Sequence, residues 1–108
     1  MLACLCLLLS EASAQITLSG TSYIQDFNTI GSGLPAGFST VTGASVTSLG
    51  ASAAFTATHT NWNNTTGRFS NYASANIGAT ATTAQQAAAA DRALGIRQTG
   101  SVGDPGAA

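Results

Sequence analysis

The sequence predicts an all-β fold, and three observations lead to this prediction. Ala53, Phe55, Ala57 and His59 alternate with threonines, which is typical of a strand with one buried and one solvent-exposed face. Glycines recur between short segments of this kind, at the places where turns would join neighbouring strands. Thr and Ser are abundant and Lys is absent, so hydroxyl side chains would cover the strand faces. We therefore expect an incomplete antiparallel sandwich, jelly-roll-like, with long loops.

Strand-like patterns recur along the chain, each bounded by glycine or by a turn-rich loop. In the segment 68–73 we expect Phe69 to point inward and Tyr72 to lie on the opposite face. The predicted strands, in order, are Ile16–Leu18, Tyr23–Phe27, Phe38–Thr42, Ala44–Leu49, Ala53–Thr60, Arg68–Ala73 and Ala93–Thr99.

Residues 75–90 form a low-complexity segment that is rich in Ala and Thr. Thr83 and Gln86 have the spacing of a capping box, and Gly95 would serve as a C-cap. However, an isolated helix of about 12 residues is marginal in water, and this one would lack an apolar stripe. We expect a mobile loop with partial helicity.

Residues 1–14 have the pattern of a secretory signal peptide. An apolar run extends from Leu2 to Leu9, and Ala12-Ser13-Ala14 supplies the small residues for cleavage before Gln15. No Lys or Arg precedes the run, which leaves open a lipoprotein leader lipidated at Cys4 and a short apolar helix that stays uncut. We expect a leader helix at 1–14, a module at 15–108, and a secreted or cell-surface location.

Residues 15–108 contain three arginines, three aspartates and no cysteine. Neither nucleic acid nor, after leader cleavage, a membrane is expected as a partner, because both require clustered positive charge. No disulfide or thiolate metal site can form, and no cofactor is expected. Ile, Leu, Val and Phe supply about 17% of these residues, below the roughly 20% that marks a foldable chain. Stability must therefore come from a thin core.

The C-terminal residues consist mostly of turn-forming types. Gly100 to Gly106 reads as a turn, and only Ala107-Ala108 follows it. Since no residues remain for a partner strand after this turn, we expect 15–108 to be the N-terminal part of a longer β-sandwich module.

No catalytic or metal-binding constellation is predicted. His59 is the only histidine, and we expect it to end a half-buried strand with its ring at the rim. Asp91 is interpreted as a charge pair with Arg92 or as part of a solvated turn. A calcium site at Asp26 or Asp104 is the remaining metal alternative, although the dense acidic spacing of a calcium loop is missing.

The candidate ligand-binding residues are Trp62, Asn63 and Tyr72. Trp62 lies in the loop Asn61-Trp62-Asn63-Asn64, and an aromatic face flanked by amides can stack on a sugar ring and hydrogen-bond its hydroxyls. Tyr72 would add a second platform. The alternative is that Trp62 caps the core at a strand end, where its indole N–H finds a partner. Polysaccharide or another cell-surface component is the partner that this pattern favours.

Several blocks of the sequence resemble one class of bacterial exported proteins. The opening block is Tyr23-Ile24-Gln25-Asp26-Phe27-Asn28-Thr29-Ile30 with Gly33-Leu34-Pro35-Ala36-Gly37-Phe38, and the later ones are Trp62-Asn63-Asn64-Thr65-Thr66-Gly67 and Asp91-Arg92-Ala93-Leu94-Gly95-Ile96-Arg97-Gln98. The resemblance covers about residues 23–108 and the first part of the usual domain. It implies a β-sandwich that further strands complete and that sorting signals, lamin-tail-like domains or nuclease domains often follow. It implies no catalytic residue.

The sequence thus favours a non-catalytic structural or binding module of a secreted or cell-surface bacterial protein, with carbohydrate as the candidate ligand. The alternative is an accessory N-terminal region of an extracellular hydrolase, of the nuclease or phosphatase type, with its catalytic residues elsewhere. A third interpretation is a gene fragment without a stable fold, because the core is thin.

Overall fold

A computed structural model describes residues 20–107 of the chain. The predicted leader at 1–14 and the predicted strand Ile16–Leu18 lie outside these residues. In the described part, short strands form two small sheets and helix is scarce, which confirms the all-β prediction at this level. The two three-stranded sheets are separate.

The elements of the described residues follow one another in a simple order. The strands are β1 (Thr40–Thr42), β2 (Ala51–Ser52), β3 (Phe55–His59), β4 (Arg68–Ala73), β5 (Arg92–Arg97) and β6 (Gly106–Ala107). The α-helix is α1 (Thr83–Ala88), and 3-10 turns lie at Ile30–Ser32 and Ala75–Ile77.

The first sheet has the order β2-β1-β6, with both neighbours antiparallel to β1. The hydroxyl of Thr42 donates to the carbonyl of Gly103 at 2.7 Å, and this bond fixes the C-terminal turn to β1. Gly106 permits the close approach, since a Cβ there would lie 2.8 Å from Cγ2 of Val41. The prediction that no partner strand follows the C-terminal turn was therefore wrong, because β6 is that strand.

The second sheet has the order β3-β4-β5. β4 and β5 are antiparallel, but β3 and β4 are parallel, so the antiparallel prediction was wrong for that pair. The register passes from Phe55 opposite Phe69 to His59 opposite Asn71, which places a bulge in β3. The side chain of Asn71 donates to the carbonyl of Ala57 inside this bulge at 2.8 Å, so a backbone group that lost its sheet partner regains one.

The two faces of the second sheet differ in burial. Directly opposite residues of an antiparallel pair share a face. One face carries Phe69, Asn71 and Ala73 of β4 opposite Ile96, Leu94 and Arg92 of β5. The 3-10 turn at Ile30–Ser32 packs on β3 and β5, and Ile30, Phe69 and Ala73 are the buried apolar residues. The other face carries Tyr72, so the predicted orientations of Phe69 and Tyr72 are confirmed.

Three predicted elements near the N-terminal side have a different structure. Tyr23–Phe27 is not a strand, because the carboxylate of Asp26 accepts the N–H of Asn28 at 3.0 Å and Phe27 turns to φ 58°. The segment 44–49 is a tight turn with Ser45 paired to Ser48. The strand predicted from Phe38 begins at Thr40.

The predicted loop at 75–90 contains a 3-10 turn and α1. The capping box uses Thr82 and Gln85, one residue before the predicted pair, because Thr82 has the extended backbone of an N-cap. The helix ends at Ala88, and Gly95 lies inside β5. The predictions of Thr83 as the cap and Gly95 as the C-cap were therefore wrong.

Candidate functional site

A buried arginine lies at the centre of the polar interactions in the second sheet. Arg92 is 8% exposed, and its guanidinium donates from Nε to Oδ1 of Asn71 at 2.7 Å and from Nη2 to Nδ1 of His59 at 2.8 Å. Nη1 donates to the carbonyls of Gln86 and Ala89 at 2.9 and 3.2 Å. None of these partners is a carboxylate, so neutral acceptors alone offset the desolvation of the charge.

The predicted pairing of Asp91 with Arg92 was wrong, and Asp91 lies in a bend before β5. Oδ2 of Asp91 instead accepts from the side chain of Asn76 at 2.8 Å, and Arg92 is turned into the core. Burial lowers the pKa of Arg92 from its ordinary value, but an arginine remains charged at neutral pH.

The hydrogen bonds of His59 fix its tautomer. A guanidinium has only donors, so Nδ1 of His59 must accept from Arg92. Nε2 then carries the proton and donates to Oδ1 of Asn61 at 2.8 Å. His59 ends β3, as predicted, and both of its ring nitrogens are occupied by protein groups. This arrangement positions the loop after β3 and leaves the ring no free nitrogen for proton transfer.

The loop that follows β3 is connected to Arg92 through Gln86. The buried side chain of Gln86 accepts the backbone N–H of Trp62 at 2.9 Å and donates to the carbonyl of Ala81 at 2.9 Å. The carbonyl of Gln86 accepts from Arg92, which satisfies a backbone acceptor near the C-terminal end of α1. Arg92 therefore holds α1, and α1 holds the backbone of Trp62.

The side chain of Trp62 has a second anchor. Its indole Nε1 donates to the carbonyl of Ala73 at 2.9 Å, at the end of β4. The partner expected for a tryptophan at a strand end is therefore present. Because this bond uses the indole's donor, a ligand at Trp62 would meet the ring surface rather than its N–H group.

Trp62 and Tyr72 line one shallow cleft of about 230 Å³ on the face of the sheet opposite Phe69. The complete lining is Trp62, Asn64, Tyr72, Gly95, Ile96 and Arg97. The ring of Tyr72 lies against Gly95, where an added Cβ would overlap with Cδ2 of the ring. Glycine at this position lets the tyrosine lie close to the backbone of β5.

The structure brings two of the three predicted ligand-binding residues together. Trp62 and Tyr72 line the cleft, whereas Asn63 is exposed and is not part of the lining. Its neighbour Asn64 supplies the amide, which also bonds within its own loop to the carbonyl of Thr66 at 3.3 Å.

Sequence reasoning missed Arg97 as a cleft residue. Arg97 alternates with Gly95 along β5, and both lie on the same face as Tyr72. The alternation of Arg92, Leu94 and Ile96 with Ala93, Gly95 and Arg97 is the signal that separates the two faces of this strand.

Within 20–107, no three His, Cys, Asp or Glu residues come together in a way that would hold a metal ion. Asp26 bonds to Asn28, and Asp104 lies in the turn before β6. No helix in this part of the chain has the length and apolar character to cross a bilayer.

Comparison with known proteins gives no relative. No family model matches this sequence, and neither the curated proteins nor the solved structures include a significant match.

Proposed function

We propose that this chain is a non-catalytic binding module of a secreted or cell-surface bacterial protein and that its cleft binds carbohydrate. One observation supports this proposal above the others. Trp62 is held by hydrogen bonds from both its backbone and its indole N–H, and it lines the same cleft as Tyr72 and Asn64.

The chemistry of the cleft suits a sugar ring. Aromatic surfaces pack against the C–H faces of a pyranose, while amide and phenol groups hydrogen-bond its hydroxyls. A side chain that is already fixed loses little conformational entropy on binding, which favours affinity at a small site. The cleft is below the roughly 300–1,000 Å³ of enclosed small-molecule sites, so we expect it to bind one unit of a longer glycan lying across the sheet.

The proposal extends to the architecture of the whole protein. The resemblance of residues 23–108 to exported bacterial modules supports a β-sandwich whose N-terminal portion is this chain, preceded by a signal peptide at 1–14. The link from Oδ1 of Asn28 to the N–H of Arg92 at 2.9 Å joins two of the blocks on which that resemblance rests. In this proposal the two blocks are packing features.

Titration calorimetry against a panel of soluble glycans tests the proposed binding. Tyr72→Leu removes one aromatic surface of the cleft, and we expect at least a tenfold loss of affinity, about 1.4 kcal/mol. Tyr23→Leu is the matched control, because Tyr23 is an exposed tyrosine outside the cleft lining. Trp62→Phe keeps a ring while removing the indole N–H, and we expect it to retain part of the affinity.

Two results would contradict the proposed function. One is the absence of binding to any glycan by a protein that unfolds cooperatively. The other is binding that Tyr72→Leu and Tyr23→Leu weaken equally. The alternative of an unstable gene fragment has its own signature, a flat near-UV circular dichroism spectrum without a cooperative thermal transition.

A further inference from the structure

We propose that the glycan recognised by this cleft is acidic and that Arg97 and Arg68 bind the carboxylate groups of its uronic acid units. This inference rests on the proposed carbohydrate function and names the class of ligand. Arg97 lines the same cleft as Trp62 and Tyr72.

The positive charge of the protein is concentrated on two neighbouring strands. The whole sequence has three Lys and Arg residues against four Asp and Glu residues, with a formal net charge of −1. Arg68 begins β4, and Arg92 and Arg97 begin and end β5, while β3, β4 and β5 contain no acidic residue. A chain with a net charge of only −1 thus has a locally positive sheet, although its arginines are scattered in the sequence.

Two of these arginines face one another. Arg68 and Arg97 are opposite each other in the antiparallel register of β4 and β5, on the same face as Tyr72. Like charges in this position destabilise a sheet. Among the described residues neither guanidinium has a hydrogen-bond or ion-pair partner, in contrast to Arg92, which has several.

An acidic sugar would relieve this repulsion. A guanidinium presents paired N–H donors that match the two oxygens of a carboxylate, and bonds between charged groups are stronger than neutral ones. A uronic acid unit whose ring packs on Trp62 or Tyr72 would carry its carboxylate at the edge of the ring. The next acidic unit of the chain would bring a second carboxylate toward Arg68.

Single-stranded nucleic acid is the competing class of anionic, stackable ligand. Its binding normally combines several aromatic platforms with a basic groove that neutralises many phosphates. One exposed arginine in the cleft lining and a half-buried one opposite it in the sheet provide much less than that. The cleft therefore fits an acidic glycan better than a nucleic acid, and the experiment compares the binding of both.

The test uses oligogalacturonates and the same oligosaccharides after full methyl esterification, which removes the charge and keeps the sugar chain. Calorimetry with the purified protein should show at least tenfold tighter binding of the free acid, since hydrogen bonds between charged groups are stronger than neutral ones. Added salt should weaken the binding of the acid and leave that of the ester nearly unchanged. An oligothymidylate of similar charge should bind more weakly than the oligogalacturonate.

Single-residue variants show which arginine produces the preference for the free acid. Arg97→Gln should lower the affinity for the free acid about tenfold without changing that for the ester, and Arg68→Gln should do so to a smaller extent. Asp104→Asn is the control, because it changes the net charge by one unit in the opposite direction at a site outside the cleft, and asparagine tolerates the positive φ of 42° there.

The outcomes separate the two proposals. Equal binding of the acid and its ester would overturn the acidic preference while leaving the carbohydrate function standing. So would a gain in affinity with Asp104→Asn as large as the loss with Arg97→Gln, because net charge alone would then explain both. Tighter binding of the oligothymidylate would overturn the choice of a glycan as the acidic ligand. Failure of both oligosaccharides, together with the rest of the glycan panel, would overturn both proposals.

Discussion

Nη2 of Arg92 donates to Nδ1 of His59 at 2.8 Å, and this hydrogen bond places the proton of the neutral imidazole on Nε2. With Nδ1 as an acceptor, the ring proton lies on Nε2 and points to Asn61. We predict that long-range ¹H–¹⁵N correlation spectra of the neutral ring show the Nε2–H tautomer, with Nδ1 unprotonated. A spectrum of the Nδ1–H tautomer would mean that the guanidinium does not bind His59.

Replacing Arg92 should strongly destabilise the protein. Arg92→Met keeps much of the apolar stem but leaves the acceptors of Asn71, His59 and Gln86 buried without a donor. Unsatisfied buried groups cost about 1–3 kcal/mol each, so we expect a loss of about 3 kcal/mol or more in the free energy of unfolding. Urea denaturation measures this loss.

Arg97→Met is the control for that experiment. Its side chain is exposed, and its removal ends the like-charge pairing with Arg68. We expect a change within about 0.5 kcal/mol, or a slight gain in stability. Arg92→Lys should fall between the two, because it keeps a charge but has fewer donors. Equal denaturation midpoints for Arg92→Met and Arg97→Met would refute the central role of Arg92.

Gly95→Ala should displace the ring of Tyr72 and so change the shape of the cleft. The new methyl group would overlap with Cδ2 of the Tyr72 ring, so the ring must move away from β5. Such overpacking costs about 1–3 kcal/mol, measurable by thermal denaturation, and the shifted ring should also weaken glycan binding. Gly100→Ala is the matched change, since no atom lies within 4 Å of the added Cβ. A crystal structure of Gly95→Ala with Tyr72 unmoved would be the contrary result.

Thr82→Ala should destabilise the protein and Thr83→Ala should not. The hydroxyl of Thr82 accepts the N–H of Gln85 at 3.3 Å, and loss of an N-cap costs about 1 kcal/mol. Thr83 is exposed in the first turn of α1, where alanine is the better helix former, so we expect no loss of stability there. Chemical denaturation of the two variants in parallel decides which threonine is the cap, and the opposite ranking would favour the capping box at Thr83.

The elements that sequence reasoning predicted correctly are those with a local cause. β4 extends over Arg68–Ala73 as expected, because alternation over six residues gives each side chain a definite face. The strand predicted at Ala53–Thr60 is also present, although it is shorter and extends from Phe55 to His59. Trp62 and Tyr72 were selected as aromatic residues near turn-rich or half-buried positions, and they share a cleft.

The missed features depend on distant partners. Nothing near Arg92 in the sequence shows that its acceptors come from α1, β3 and β4, so burial of an arginine without an acid was not predictable from Asp91-Arg92. The parallel pairing of β3 with β4 likewise depends on the path of the loop at 60–67. The region around Phe27 has the alternation of a strand, but Asp26 captures the backbone two residues on and ends the extended conformation.

The link from Asn28 to Arg92 bears on the order in which the protein acquires its structure. Asn28 and Arg92 are 64 positions apart in the sequence, and Thr42 and Gly103 are 61 apart. Each pair can form its hydrogen bond only after most of the chain has been synthesised. Pairings of such long sequence separation slow folding, because a large loop must close before its contacts stabilise anything. During translation, most of the nascent chain would therefore remain unfolded. The fold would form late and nearly all at once.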